Sequence, residues 1–180
     1  ATATTPCLVY LINAPPRFIA TEVNDDNTIV TITFDEAVYS DTNAANALLA
    51  SNLTLSTSGG SGVLTAPTPL TVSTLDNTTY KLTTSYSTPP NGEEILTVLP
   101  INTVLYDDKG LPIDLAETQS NTVKLNDQSG PVITGITLDN QNRFIDVTFN
   151  EGIYGSISPT SAVTSASFEL TQTGGVSYSL

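Results

Sequence analysis

Thr28-Ile29-Val30-Thr31-Ile32-Thr33-Phe34-Asp35-Glu36-Ala37-Val38-Tyr39 is the stretch that decides how the chain reads. In an extended backbone Val30, Ile32 and Phe34 fall on one side, and Thr31 and Thr33 on the other. β-Branched and aromatic residues at a period of two predict a strand with one buried face and one wet face. The pattern returns 115 positions further on (28 to 143) as Arg143-Phe144-Ile145-Asp146-Val147-Thr148-Phe149-Asn150-Glu151-Gly152-Ile153-Tyr154. Ile145, Val147 and Phe149 take the apolar places. A Glu and then a Tyr follow at the same distances, Glu36 and Tyr39 in one copy and Glu151 and Tyr154 in the other.

The register holds without a gap on both sides. Pro16 falls on Pro131, Asn27 on Asn142, Leu55 on Leu170, and Gly59-Gly60 on Gly174-Gly175. A period well beyond the ~20–50 residues of solenoid units predicts that each repeat is a domain of its own. One complete repeat is expected over residues 15–129, and the first half of a second over residues 130–180. In the same register residues 1–14 fall on 116–129, so Leu8-Val9-Tyr10 reads as the closing strand of a preceding repeat or as an N-terminal strand. The chain reads as a window on a longer array.

Composition narrows the function classes. Against 18 Asp and Glu there are only 5 Lys and Arg, a formal charge of -13. Such a chain lacks the cations that neutralise nucleic-acid phosphates. It is equally unsuited to an anionic membrane surface, while acidity of this kind suits divalent cations and mutual repulsion between neighbours. No apolar run approaches the ~20 residues of a membrane helix, so neither a nucleic-acid partner nor membrane insertion is expected. The single cysteine, Cys7, has no internal partner and reads as a buried thiol or as half of a bridge to a cysteine elsewhere.

Strands are expected at 17–23, 28–34, 52–57, 63–66, 70–74, 79–86, 94–99 and 120–125, with Asn24-Asp25-Asp26-Asn27 and Pro89-Pro90-Asn91-Gly92 as turns. The stretch Asp41–Ala50 reads as a short connector and not as a core helix. Seven or more short strands at roughly ten-residue spacing predict an all-β protein built of β-sandwich repeats. In the half repeat, Ile133, Ile145, Val147, Phe149, Phe168 and Leu170 would form an apolar face too large to leave in water.

Thr33-Phe34-Asp35-Glu36-Ala37-Val38 is similar to the Phe-Ser-Glu-x-Val turn of the bacterial immunoglobulin-like domains found in tandem in S-layer and surface-adhesin proteins. Val104-Leu105-Tyr106-Asp107-Asp108-Lys109-Gly110-Leu111-Pro112 resembles that family's Asp-x-x-Gly-Asn loop, with Leu111 where the family usually has Asn. Asn121-Thr122-Val123 followed by Pro131-Val132-Ile133 looks like its closing strand, linker and next opening strand. The resemblance covers essentially the whole chain. It implies an immunoglobulin-like sandwich in extracellular or cell-surface arrays, and it implies no catalytic residue.

Candidate chemistry is sparse. With no His in the chain, no Ser-His-Asp or Cys-His arrangement can form. Asp35, Glu36, Glu93, Glu94, Asp107 and Asp108 supply carboxylates, but adjacent acids in a strand point to opposite faces and nothing pairs two across a cleft. Enzymatic function is therefore not expected. Calcium is the stronger expectation: Asp107 and Asp108 from one loop, Asn126 and Asp127 from the linker, and Asn150 and Glu151 from the next repeat are hard oxygen donors that would converge at a repeat junction. The same residue types are also ordinary turn formers. Asn52-Leu53-Thr54 and Asn77-Thr78-Thr79 are glycosylation sequons. Tyr39 and Tyr154 read as core tyrosines with a bonded hydroxyl sooner than as a binding platform.

The expected function is structural: a non-catalytic extracellular stalk, surface layer or filament, whose partners are neighbouring repeats or copies of the same protein. One alternative is an adhesin that binds surface carbohydrate or protein through loops such as Ser58–Gly62 or Ser87–Gly92. Another is a filament subunit whose half repeat is completed by strands of a neighbouring chain.

Overall fold

The computed structural model describes residues 13–101, 105–117, 120–156, 160–171 and 173–174. Cys7, the Leu8-Val9-Tyr10 strand and Val104 lie outside the described residues. The protein is all-β. It divides into two compact units, Ala1–Ser129 (unit 1) and Gly130–Leu180 (unit 2). The boundary falls where the sequence pattern starts again.

In unit 1 the described strands are β1 (Phe18–Val23), β2 (Ile29–Phe34), β3 (Leu53–Ser58), β4 (Val63–Leu64), β5 (Thr71–Thr74), β6 (Thr79–Thr83), β7 (Tyr86–Thr88), β8 (Ile95–Pro100) and β9 (Thr122–Lys124). They pair as a four-stranded sheet in the order β1-β2-β6-β5, a three-stranded sheet β3-β8-β9 and a ribbon β4-β7. Every pairing is antiparallel. The opening stretch behaves as its alternation predicts: Val30, Ile32 and Phe34 are buried and the residues between them are half-buried. They share one core with Tyr80 and Leu82 of β6, Leu53 and Leu55 of β3, and Leu96 and Val98 of β8. Each such side chain contributes about 1.5–3 kcal/mol by leaving water. Phe34 sits at the centre, 4.6 Å from the Phe18 ring and edge-on to Tyr80 at 6.2 Å. The Tyr80 hydroxyl donates to the Val38 carbonyl at 2.7 Å, and burial pushes its pKa up to about 12.

The strand expected over 79–86 is two strands. Tyr80, Leu82 and Thr84 do alternate inward, but the chain leaves β2 at Thr84, whose N–H donates to the Thr28 carbonyl and whose hydroxyl donates to that of Asn27. Ser85 then accepts from the Thr65 N–H, and β7 pairs with β4. One alternating run serves two sheets, because period two says which face is wet but not which neighbour the edge will meet.

Unit 2 holds β10 (Ile133–Leu138) and β11 (Ile145–Phe149) as a hairpin. Its register is that of β1 and β2 moved by 115: Phe18↔Phe34 becomes Ile133↔Phe149, and Thr21↔Ile32 becomes Ile136↔Val147. The bulge falls at the same step, between Phe18 and Ala20 and between Ile133 and Gly135. Asn27 and Asn142 both take left-handed backbone, at φ 59° and 56°. The 3-10 turn Ala50–Asn52 likewise returns as Ser165–Ser167. Tyr39 is half-buried and bridges Tyr106, but Tyr154, expected as a core residue, is exposed. The strands that would bury it are not among the described residues of unit 2.

Candidate cation site and the buried carboxylates

The calcium donors expected from the sequence do not assemble within unit 1. Asp107 and Asp108 lie beyond the end of β2, beside Glu36, in a loop whose Tyr106 bridges Tyr39. Asn126 and Asp127 lie at the start of β2, where Asn126 bonds to Asn24 and Asn27, and Asp127 bridges Asn91. The length of β2 separates the two pairs, about 20 Å at ~3.3 Å per residue, so they cannot share an ion. In unit 2, Asn150 takes the place of Asp35, its Oδ1 accepting from the Val132 N–H as Asp35 accepts from Arg17. Glu151 is exposed.

Glu36, Asp107 and Asp108 do come together, with one carboxylate oxygen from each lying within 4.8 Å of the others. The expected donor set holds Glu151 but not Glu36, which stands at the matching place 115 residues earlier (36 to 151). The three acids differ in state. Asp107 is buried, which alone would raise its pKa. The Leu111 N–H, the Asn13 amide and the Lys109 N–H outweigh burial and hold it below the ordinary value. Asp107 is thus a turn brace, with most of its lone pairs already in use. Asp108 is exposed and pairs with Lys109 at 2.7 Å. Glu36 is raised, first by burial and then by the charges of Asp107, Asp35 and Asp108. A group in that position favours either a proton or a nearby cation.

The sign of the effect follows from the raised value. Stability contributed by protonated Glu36 is present at low pH and lost as pH rises through that value. Glu36→Gln is therefore expected to raise the thermal midpoint of unit 1 at pH 7 by about 2 °C, the size of roughly 0.5 kcal/mol in a domain of this length. The gain disappears on acidification below the ordinary carboxyl range. If the three acids hold calcium, millimolar calcium raises the wild-type midpoint over that in chelator, and Glu36→Gln loses most of that rise. Equal wild-type midpoints in calcium and chelator would rule the ion out.

A second carboxylate is fully enclosed. Glu94 is buried while Glu93 beside it is exposed, the opposite-face arrangement expected of adjacent acids. Its carboxylate accepts from the Gly62 N–H and, at 3.0 Å, from the Asn91 N–H. Burial pushes its pKa up, but these amides prevail and the net shift is down. Glu94 thereby joins the two loops singled out as binding candidates, Ser58–Gly62 and Ser87–Gly92. A groove of about 350 Å³ adjoins the first of these loops at Gly62, lined also by Leu55, Thr57, Leu64 and Pro67 among others.

At the start of β2, the side chain of Asn27 acts as a piece of backbone. Its Nδ2 donates to the Asn126 carbonyl at 2.8 Å, and its Oδ1 accepts from the Asn126 N–H at 2.9 Å. Asn126 and Gln128 donate in turn to the carbonyls of Asn24 and Asp25. The segment after β9 is thus stitched along the β1–β2 turn.

Both sequon asparagines are half-buried: Asn52 accepts from the Leu49 N–H at 2.7 Å, and the Asn77 side-chain oxygen lies 3.3 Å from the Tyr80 hydroxyl. Lys81 and Lys124 are exposed. No helix among the described residues is long and apolar enough to cross a membrane. Comparison of the chain with family models, curated proteins and solved structures finds no match.

Proposed function

We propose that the protein is a non-catalytic structural repeat protein of the cell surface, built of immunoglobulin-like sandwiches in tandem and acting as a spacer in a stalk, surface layer or filament. The observation that carries this reading is the return of one hairpin, its bulge, its left-handed Asn and its 3-10 turn, all displaced by 115 residues. The strand orders β1-β2-β6-β5 and β3-β8-β9 support the sandwich, being the A-B-E-D and C-F-G orders of immunoglobulin constant-type domains. A spacer works through length and stiffness. The Asn27–Asn126 stitch supplies stiffness by fixing the segment that leaves unit 1. Acidic repulsion keeps neighbours apart, with calcium at Glu36, Asp107 and Asp108 as the cation this reading allows.

A second reading, an adhesin module, has its own support: the two candidate loops meet at Glu94, and Gly62 of the first also lines a groove. The deciding experiment is immunogold labelling of the source cells with an antibody to this chain, run beside a glycan array. Surface label with no glycan bound is the spacer result. Surface label with a saturable glycan signal that Leu64→Asp removes favours the adhesin. Label confined to the cytoplasm would sink both.

A further inference from the structure

The two larger sheets of unit 1 have four edges between them, and three are guarded. At the β1 edge Glu22 is exposed and the Thr21 hydroxyl donates to the Ser120 carbonyl. At the β3 edge the Leu55 N–H is taken by the Pro67 carbonyl. The β9 edge carries an exposed lysine, Lys124. Charge and cover are among the means that keep sheet edges from pairing with other chains. The fourth edge, β5, has neither. Leu70-Thr71-Val72-Ser73-Thr74-Leu75 carries no charge, in a chain of formal charge -13. The acid that follows, Asp76, is turned back onto the Thr78 and Thr79 amides. Leu70 is 52% exposed and Leu75 fully exposed.

The backbone of that edge is open. The Phe34 N–H donates to the Thr78 carbonyl and the Thr84 N–H to that of Thr28, so the even-numbered residues of β6 spend their backbone groups on β2. The odd-numbered Lys81 and Thr83 face β5, opposite Ser73 and Thr71. Val72 and Thr74 therefore aim N–H and C=O away from β6, and these groups have no partner among the described residues. Two such edges are self-complementary. Antiparallel pairing about a two-fold axis at Ser73 sets Val72 of each copy opposite Thr74 of the other, and every open group of both is satisfied. Thr71 then faces Leu75 across the junction, which takes part of an exposed leucine out of water.

We propose, building on the layer and filament forms of the spacer reading, that β5 is a self-association edge through which two copies of the chain join their four-stranded sheets in this register. The partner is a second copy because the edge is uncharged and matches itself about a two-fold axis, while most other surface of so acidic a chain repels its like. A contact of this size lies below the ~1,200 Å² of stable complexes and is weak by itself. Copies held side by side in a layer repeat it, and avidity then supplies the strength.

The test is disulfide trapping of the whole chain, with Cys7→Ser throughout. Ser73 meets Ser73 of the second copy as a non-hydrogen-bonded pair, whose Cα atoms lie about 4.5 Å apart, within reach of a disulfide. Ser73→Cys is expected to give a covalent dimer on mild oxidation, whereas Thr71→Cys, which meets Leu75 instead, stays largely monomeric. Amide exchange is the second measurement. Raising the unmodified chain from micromolar to millimolar concentration is expected to slow Val72 and Thr74 and to leave Ser73, already bonded to β6, unchanged. Ser73→Lys sets a second lysine beside Lys81 in each copy and abolishes this slowing, although it lowers the net charge. Equal trapping of Ser73→Cys and Thr71→Cys, or trapping of neither, overturns the proposal. So does exchange at Val72 and Thr74 that is fast, or protected, at every concentration; in the protected case a segment of the same chain holds the edge. None of these results alters the immunogold label, so the edge and the surface location stand or fall separately.

Discussion

Asn27→Ala is expected to lower the unfolding free energy of unit 1 by about 3 kcal/mol, and Asn142→Ala to cost unit 2 only about 1 kcal/mol. The two residues share a left-handed backbone, φ 59° and 56°, in matching turns. Alanine at either place carries the same strain, about 1 kcal/mol. Only Asn27 is buried, and only its amide closes both bonds to Asn126. Losing it removes two part-buried hydrogen bonds to the backbone of Asn126, at about 1 kcal/mol each. Asn27→Gly separates the terms, since glycine removes the strain and leaves the amides missing; about 2 kcal/mol of the loss should remain. Urea unfolding of the four proteins measures all of this. A glycine variant as stable as wild type would mean that the stitch contributes no stability.

Glu94→Ala is expected to cost unit 1 about 3 kcal/mol, since hydrogen bonds to a buried charge are the stronger kind. In thermal unfolding that is a fall of roughly 10 °C. Glu94→Gln keeps the shape and one accepting oxygen for the Gly62 N–H, but loses the charge and sets an amide NH2 in place of the Oε2 that accepts from Asn91, so it should recover only part of the loss. The carboxyl is held below its ordinary value, so the stability it contributes is present above the unfolded carboxyl pKa. It is lost as pH falls through the lower folded value. The wild-type advantage over Glu94→Gln should therefore be flat near neutrality and shrink in acid. The loop is built for this contact: a Cβ on Gly60, at φ +58°, would stand 2.1 Å from the Glu94 Oε1. Release of the carboxylate should make residues 58–62 the first site of proteolytic nicking. An unchanged cleavage pattern in Glu94→Ala would mean that the loop is held by other contacts.

Much of the architecture is local and was legible for that reason. The alternation of Val30, Ile32 and Phe34 depends only on the two-residue pleat. Asn27 announced its turn because few side chains other than Asn tolerate left-handed backbone. The match of Glu36 and Tyr39 with Glu151 and Tyr154 was legible as well, and the two hairpins that precede these residues share one register. The candidate site was far less legible. Asp107, Asp108, Asn126 and Asp127 are all acid or amide residues of loops near one end of unit 1's sequence, and nothing in their order says that β2 lies between the two pairs. The burial of Glu94 was equally hidden: a Glu at the end of a strand reads as solvated until the amides of a loop some 30 residues earlier close on it.

The sequence by itself therefore determined the strands, their inward faces, the turns and the 115-residue spacing, since each is set by the chemistry of neighbouring residues. The tertiary structure alone decided which edges meet, where the 79–86 run changes partner and which acids share a space. Those outcomes depend on which distant backbone groups satisfy each donor and acceptor, and one-dimensional order does not encode that.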